Sequence, residues 1–216
     1  MITLSRPMKS LLLSRPVRLA FAMTMSVCFY GIMHAESVQI TSPVGDWAMA
    51  DEIVQKIQLP QIPRRDFVIT DFGAKPGTDN DARPAIQAAI EKAAAEGGGR
   101  VIIPAGLWVS RGPVHLRSKI DFHVADGATL LFGPNPADYL PTVHTRWEGT
   151  ELYSYSPLIY AAHVEDVAIT GKGTIDGNAQ SVFKTWIDDR QKKDMDRLRR
   201  MGVDGTPVEK RIFAEG

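Results

Sequence analysis

A change of period at residues 97–99 constrains this chain more than any other feature. Before it, Ala82, Ala85, Ile86, Ala89, Ile90 and Ala93 recur at three- and four-residue intervals, which places them on one stripe of a helix. After it the apolar residues alternate: Val101 and Ile103, Leu107 and Val109, Val114 and Leu116, then Ile120, Phe122 and Val124. Alternation belongs to strands that bury one face. Gly97, Gly98 and Gly99 separate the two regimes and read as the stop of the helix, because glycine enters the left-handed conformation of a C-cap without a Cβ penalty. At the other end, Asp81 is placed to cap the helix and Pro84 falls in the first turn, where a missing N–H costs little.

The strands are short and their corners tight, marked by Pro104-Ala105-Gly106, Gly112-Pro113 and Arg117-Ser118-Lys119. A further apolar series follows at Ala128, Leu130 and Phe132. Another comes at Val167, Ile169 and Ile175, with Gly171, Gly173 and Gly177 at the corners. Short strands repeating at intervals of roughly 20 residues suggest a solenoid of stacked β-coils. Periodicity alone also admits a β-sandwich, which is built from short strands too.

Particular runs carry a resemblance. Ile69-Thr70-Asp71-Phe72-Gly73-Ala74, Gly77-Thr78-Asp79-Asn80-Asp81, Ala85 to Ile90, Gly98-Gly99-Arg100-Val101 with Pro104-Ala105-Gly106, and Ile169-Thr170-Gly171-Lys172-Gly173-Thr174-Ile175-Asp176-Gly177 stand in order along the chain. With Arg146-Trp147-Glu148-Gly149 and Tyr155 to Tyr160, they resemble the N-terminal part of a polygalacturonase of glycoside hydrolase family 28. The resemblance spans residues 40 to 216. It implies an all-β fold, a right-handed single-stranded parallel β-helix of which this chain holds the first coils. An N-terminal capping helix and a short helix after the first strand complete the expected fold. It also implies hydrolysis of the α-1,4-galacturonosyl links of pectin. The opening runs are shared with other pectin-lyase-like β-helices, so a rhamnogalacturonan hydrolase, a lyase, a depolymerase or a non-catalytic glycan-binding β-helix stay open.

Residues 1–35 carry Arg6, Lys9, Arg15 and Arg18, no acid, and an uncharged run from Leu19 to Met33. This is the pattern of a secretory signal peptide, too short for a comfortable span of about 20 residues, so the chain is expected to be secreted or periplasmic. An uncleaved anchor is the other reading. Loss of these four cations takes the 25 basic residues to 21 against 25 acidic ones, a balance of minus 4, which is no footprint for nucleic acid. Cys28, the one cysteine, would leave with the segment. The mature chain is then expected to have no disulfide, no membrane contact and a monomeric state.

Residues 36–65 form a leader in which Asp46 to Ile57 suggests a short helix with Trp47, Ile53, Val54 and Ile57 on an apolar side. A solenoid end needs a cover, so this helix is the expected cap; a plain linker is the other reading. The β-helix domain is expected over 66–216. Between Phe132 and Pro157 periodicity is lost, and the segment holds Tyr139, His144, Arg146, Trp147, Glu148 and Tyr153. Such a loop suits a groove for an acidic sugar, or else folds over the coils with its tryptophan buried. Phe183 to Met201 reads as one helix with a mixed-charge, ion-paired face.

Glycosidic hydrolysis needs an acid and a base or nucleophile held on rigid elements. The family resemblance implies an inverting mechanism carried by Asn-x-Asp, Asp-Asp, Gly-His-Gly and Arg-Ile-Lys. None stands here in its setting. Asp188-Asp189 falls in the helical pattern, where successive side chains diverge by about 100°. His115, His123, His144 and His163 lack flanking glycines, and Arg211-Ile212 runs into Phe213. The catalytic motifs are therefore expected after Gly216, in a longer enzyme of which this chain is a non-catalytic front end. No zinc-type ligand spacing, phosphate-cradling loop or nucleophile elbow appears, and no metal or cofactor is expected. The expected partner is a pectic polysaccharide.

Overall fold

The computed structural model describes residues 47–187 and 189–214. The expected signal peptide with Cys28 lies outside the described residues, as do the first part of the leader and Asp188. The chain divides into two units, Met1–Glu52 and Ile53–Gly216. Of the first, the described residues are the opening turns of helix α1 (Trp47–Lys56).

The second unit contains the coils. The first is β1 (Asp66–Val68), a 3₁₀ turn at Ile69–Phe72 and β2 (Gly77–Asp81), followed by helix α2 (Arg83–Ala95). The second is β3 (Gly99–Ile103), β4 (Gly106–Ser110) and β5 (Val114–His115). The third is β6 (Ile120–Val124) and β7 (Ala128–Phe132). There the chain departs into a hairpin, β8 (Val143–Trp147) and β9 (Thr150–Ser154), and returns as β10 (Ile159–Tyr160). The fourth is β11 (Ala168–Gly171) and β12 (Thr174–Asp176), after which come α3 (Asp189–Val203) and β13 (Ile212–Phe213).

Coil on coil, the strands form three parallel sheets: β1-β3-β6-β11, β2-β4-β7-β12 and β5-β10. This is the parallel β-helix that the resemblance implies, and it realises the stacked coils suggested by the spacing. Its register aligns like positions of successive coils into ladders that run through the interior. Phe67, Val101, Phe122 and Ile169 make one; Trp108, Leu130 and Ile175 make another. Val101, Phe122 and Leu130 are fully buried, whereas Ile169 is 53% and Ile175 38% exposed on the fourth coil. Among the described residues, every buried side-chain nitrogen and oxygen has a hydrogen-bond partner.

Helix α2 buries Ala85, Ile86, Ala89, Ile90 and Ala93, the stripe read from the spacing. It packs on the 3₁₀ turn, β3, β1 and β5. Its C-terminus closes as the glycines require: Gly97 N–H donates to Ala94 O and Gly98 N–H to Ala93 O, with both glycines at positive φ. Asp81 sits one residue before the capping position; its Oδ1 accepts from the N–H groups of both Arg83 and Arg111 at 3.0 Å. It thus ties the helix start to the corner after β4.

Four points of detail go beyond the expectations. First, Ile53, Val54 and Ile57 of and beside α1 are 54%, 65% and 60% exposed, while α2 covers core residues at the first coil, its stripe continuous with Ile69 and Ala82 in one apolar cluster. Second, β4 is shifted by one position. Trp108 and Ser110 point inward opposite Leu130 and Phe132, and Leu107 is only half-buried. The indole tolerates burial since its Nε1–H donates to Pro104 O at 2.7 Å, and the Ser110 hydroxyl donates to Gly112 O at 2.8 Å.

Third, residues 133–157 are not without period. Strands β8 and β9 pair antiparallel from Val143↔Ser154 to Trp147↔Thr150. They turn on Glu148 and Gly149, both at positive φ, the backbone that two-residue hairpin turns demand. Fourth, the expected helix over 183–201 is interrupted: a 3₁₀ turn covers Phe183–Trp186 and α3 begins at Asp189. The mixed-charge face of α3 is ion-paired as expected, through Lys192–Asp196 at 2.9 Å, Arg197–Asp194 at 3.6 Å and Arg199–Asp196 at 3.5 Å.

Candidate functional site

The hairpin, the 3₁₀ turn at 183–186, α3 and β13 enclose a cleft of about 690 Å³ beside the third coil. Short parallel pairing holds β13 onto β9, with Ile212 opposite Tyr153 and Phe213 opposite Ser154. The Tyr155 hydroxyl adds a bond to Ala214 O at 3.0 Å. At the cleft floor the Tyr139 hydroxyl donates to Gly133 O at 2.7 Å, and burial pushes its pKa up to about 12. It acts there as a neutral wedge.

Aromatic rings dominate the walls. Phe183 meets Tyr139 edge-on at 5.7 Å and Trp186 edge-on at 5.2 Å; Trp186 lies tilted against Tyr155 at 5.6 Å. The Arg197 guanidinium stacks over the Phe213 ring at 4.1 Å. At the mouth stand Arg146 and Trp147, both on the cleft lining and both exposed.

The expected groove residues separate into two groups. Tyr139, Arg146 and Trp147 line the cleft. His144 and Tyr153 stack on each other at 5.6 Å outside that lining, with His144 3.5 Å from Glu151. Glu148 turns to Arg199 at 2.5 Å. The reading in which the loop tryptophan is buried does not hold, since Trp147 is 44% exposed. Sequence reasoning missed Phe183, Trp186, Arg197 and Phe213 as part of this site. The three-residue spacing of Phe183 and Trp186 is the available signal.

Asp121 is buried and bound by Arg100 Nε and the Thr170 hydroxyl, each at 2.6 Å. Asp138 accepts from Asn135 and Asp176 from the Asn178 N–H. Among the described residues, the carboxyl groups displaced from their ordinary pKa are Glu91, Glu96 and Asp196. All three are lowered, chiefly by hydrogen bonds from Arg117, Lys92 and Lys192 respectively. A general acid needs displacement the other way. Among the described residues two histidines meet hydroxyls: His123 Nδ1 lies 2.7 Å from Thr170 Oγ1, and His115 Nε2 lies 3.2 Å from Ser156 Oγ. His115 is the more buried in its surroundings. Burial first, then Arg83 and Arg117, lowers its pKa, which keeps the ring neutral. No carboxylate hydrogen bond to its other nitrogen is present among the described residues. Among these residues no group of three metal-ligating side chains is gathered, and no helix is long and apolar enough to cross a membrane.

The sheets, the corners and the excursion from the third coil define a pectin-lyase-like parallel β-helix. No protein-family model matches the chain. Over 124 residues it is 33% identical to the exo-poly-alpha-D-galacturonosidase of Dickeya chrysanthemi, covering 51% of this chain and 19% of that protein. It superposes on the hyperthermoactive exopolygalacturonase of Thermotoga maritima with a TM-score of 0.74 and 41% identity, covering 79% of this chain and 40% of that one. The family 28 exopolygalacturonase of Yersinia enterocolitica is 32% identical over 54% of this chain and 21% of its own, with a TM-score of 0.47. The chain is thus related to exopolygalacturonases, and it spans less than half the length of these relatives.

Proposed function

We propose that this chain forms the front coils of a secreted, pectin-degrading glycoside hydrolase that cleaves α-1,4-galacturonosyl links by an inverting two-carboxylate mechanism, with the catalytic pair on coils other than those described. The observation that carries the reading is the 41% identity to the Thermotoga maritima exopolygalacturonase across 79% of the chain. The committed carboxylates support it from the opposite side. An inverting pair stands roughly 6.5–9.5 Å apart with a water between and an acid of raised pKa, whereas Asp121 is bound by Arg100 and Thr170, and Glu91, Glu96 and Asp196 are lowered.

The first test is to sequence the genomic DNA through and beyond the codon for Gly216, then to assay the protein of the complete frame for reducing ends released from polygalacturonate. The expected result is a frame that continues into Asn-x-Asp, Asp-Asp, Gly-His-Gly and Arg-Ile-Lys, a hydrolytic full product, and no release by the 216-residue chain. A stop codon directly after Gly216, with no hydrolysis, leaves the glycan-binding reading and removes the hydrolase one.

A further inference from the structure

We propose that the cleft beside the third coil is a binding site for an acidic oligosaccharide, with Trp147 as its stacking platform and Arg146 as the group that selects a uronate over a neutral sugar. The inference rests on the pectic reading above and names the residues of the described coils and hairpin that would hold that class of ligand.

Three observations converge. The space is of ligand size, about 690 Å³, within the range of small-molecule sites. Its rings are not equivalent. Phe183, Trp186 and Tyr155 are locked against one another at 5.2 to 5.6 Å, so they form a rigid wall. Trp147 has no ring partner among the described residues and is 44% exposed at the mouth. An indole held in the open by a tight hairpin offers a large flat apolar face, which matches the C–H face of a pyranose.

The charges also differ in commitment. Arg197 is spent on Asp194 at 3.6 Å and on the Phe213 ring at 4.1 Å. Arg146, by contrast, has no hydrogen bond or ion pair among the described residues and lies on the cleft lining beside Trp147. With Arg197 and Asp194 cancelling, the lining keeps one uncommitted positive charge. A guanidinium binds a carboxylate through two parallel N–H donors, so the charge complement is a uronic acid ring stacked on Trp147.

The test is titration of the intact 216-residue chain with trigalacturonate, followed by tryptophan fluorescence. A neutral galactose oligosaccharide of the same length serves as the comparison. Saturable binding of trigalacturonate is expected, weakening as salt is raised. Arg146→Gln should weaken trigalacturonate about tenfold and leave the neutral sugar unchanged, as expected for loss of one charge-assisted contact. Trp147→Phe should retain more affinity than Trp147→Ala for both ligands. Both side chains are exposed, so an unchanged urea midpoint checks that the variants fold. The proposal is overturned by no saturation up to about 10 mM ligand, by equal losses for charged and neutral sugars in Arg146→Gln, or by an unchanged Trp147→Ala. Hydrolysis by the complete frame alongside any of these would sink the cleft while leaving the hydrolase reading intact. Binding without hydrolysis would do the reverse.

Discussion

Replacing an isoleucine by alanine at two levels of the same sheet should cost very different amounts. Ile103 on β3 is fully buried opposite Val124, with α2 packed on its strand. Ile169 on β11 belongs to the ladder of Phe122 yet is 53% exposed. The chemistry of the substitution is identical, so the difference isolates burial. Ile103→Ala loses its full transfer energy and leaves a cavity between two coils and a helix, about 3 kcal/mol within the usual 2–5 range. Ile169→Ala gives up roughly half of a side chain's 1.5–3 kcal/mol transfer energy and opens no closed cavity, about 1 kcal/mol. Urea unfolding of the 216-residue chain, followed by circular dichroism, measures both through shifts in midpoint at constant m. Losses equal within about 0.5 kcal/mol would refute the reasoning, because they would show Ile169 covered in solution to the same degree as Ile103.

Gly171→Ala should be severe, more than about 3 kcal/mol: at φ +98° the new Cβ would meet the Val124 carbonyl at 1.9 Å. Gly149→Ala, at φ +87° with nothing within 4 Å, should cost only the left-handed backbone, about 1–2 kcal/mol, and thermal midpoints distinguish the two. Asp121→Ala breaks charge-assisted bonds to Arg100 and Thr170 and should lose about 1.5–3 kcal/mol, read by urea titration at neutral pH. Because the His115 pKa is lowered from 6.5, the unfolded chain takes the proton first as pH falls. Its contribution to stability is full above that value and declines below it until the folded ring also protonates. His115→Gln should flatten the stability slope between about pH 7 and pH 5, and an unchanged slope would deny the histidine this role.

Much of the coil was legible because its residues repeat a local rule. Val101 and Ile103, Phe122 and Val124, and Leu130 and Phe132 recur at every second position, and the α2 stripe is bounded by Asp81 and by Gly97 and Gly98, whose positive φ the structure retains. The phase of β4 was not legible: Leu107, Trp108 and Val109 are all apolar, so pattern cannot choose a face. The registration against β7 and the bond from the Trp108 indole to Pro104 decide it. The amphipathic side of α1 was visible, but a stripe does not say what covers it. The β8–β9 hairpin was obscured because its cleft-facing positions include Thr145, Arg146 and Ser154. The cleft was only half legible, since Trp147, Tyr155, Trp186 and Phe213 come from separate segments that meet through β13 pairing with β9.

The excursion that builds the cleft burdens the coils very little. Arg100 and Asp121 are neighbours across β3 and β6 at a separation of 21 residues, while His123 and Thr170 are neighbours across β6 and β11 at 47. By loop-closure entropy the longer interval costs only about 0.7 kcal/mol more, less than burying one methylene repays. The site and the scaffold are therefore nearly decoupled: the hairpin can lengthen, shorten or change its tip without endangering the coils, and binding preference can drift while the fold stands still.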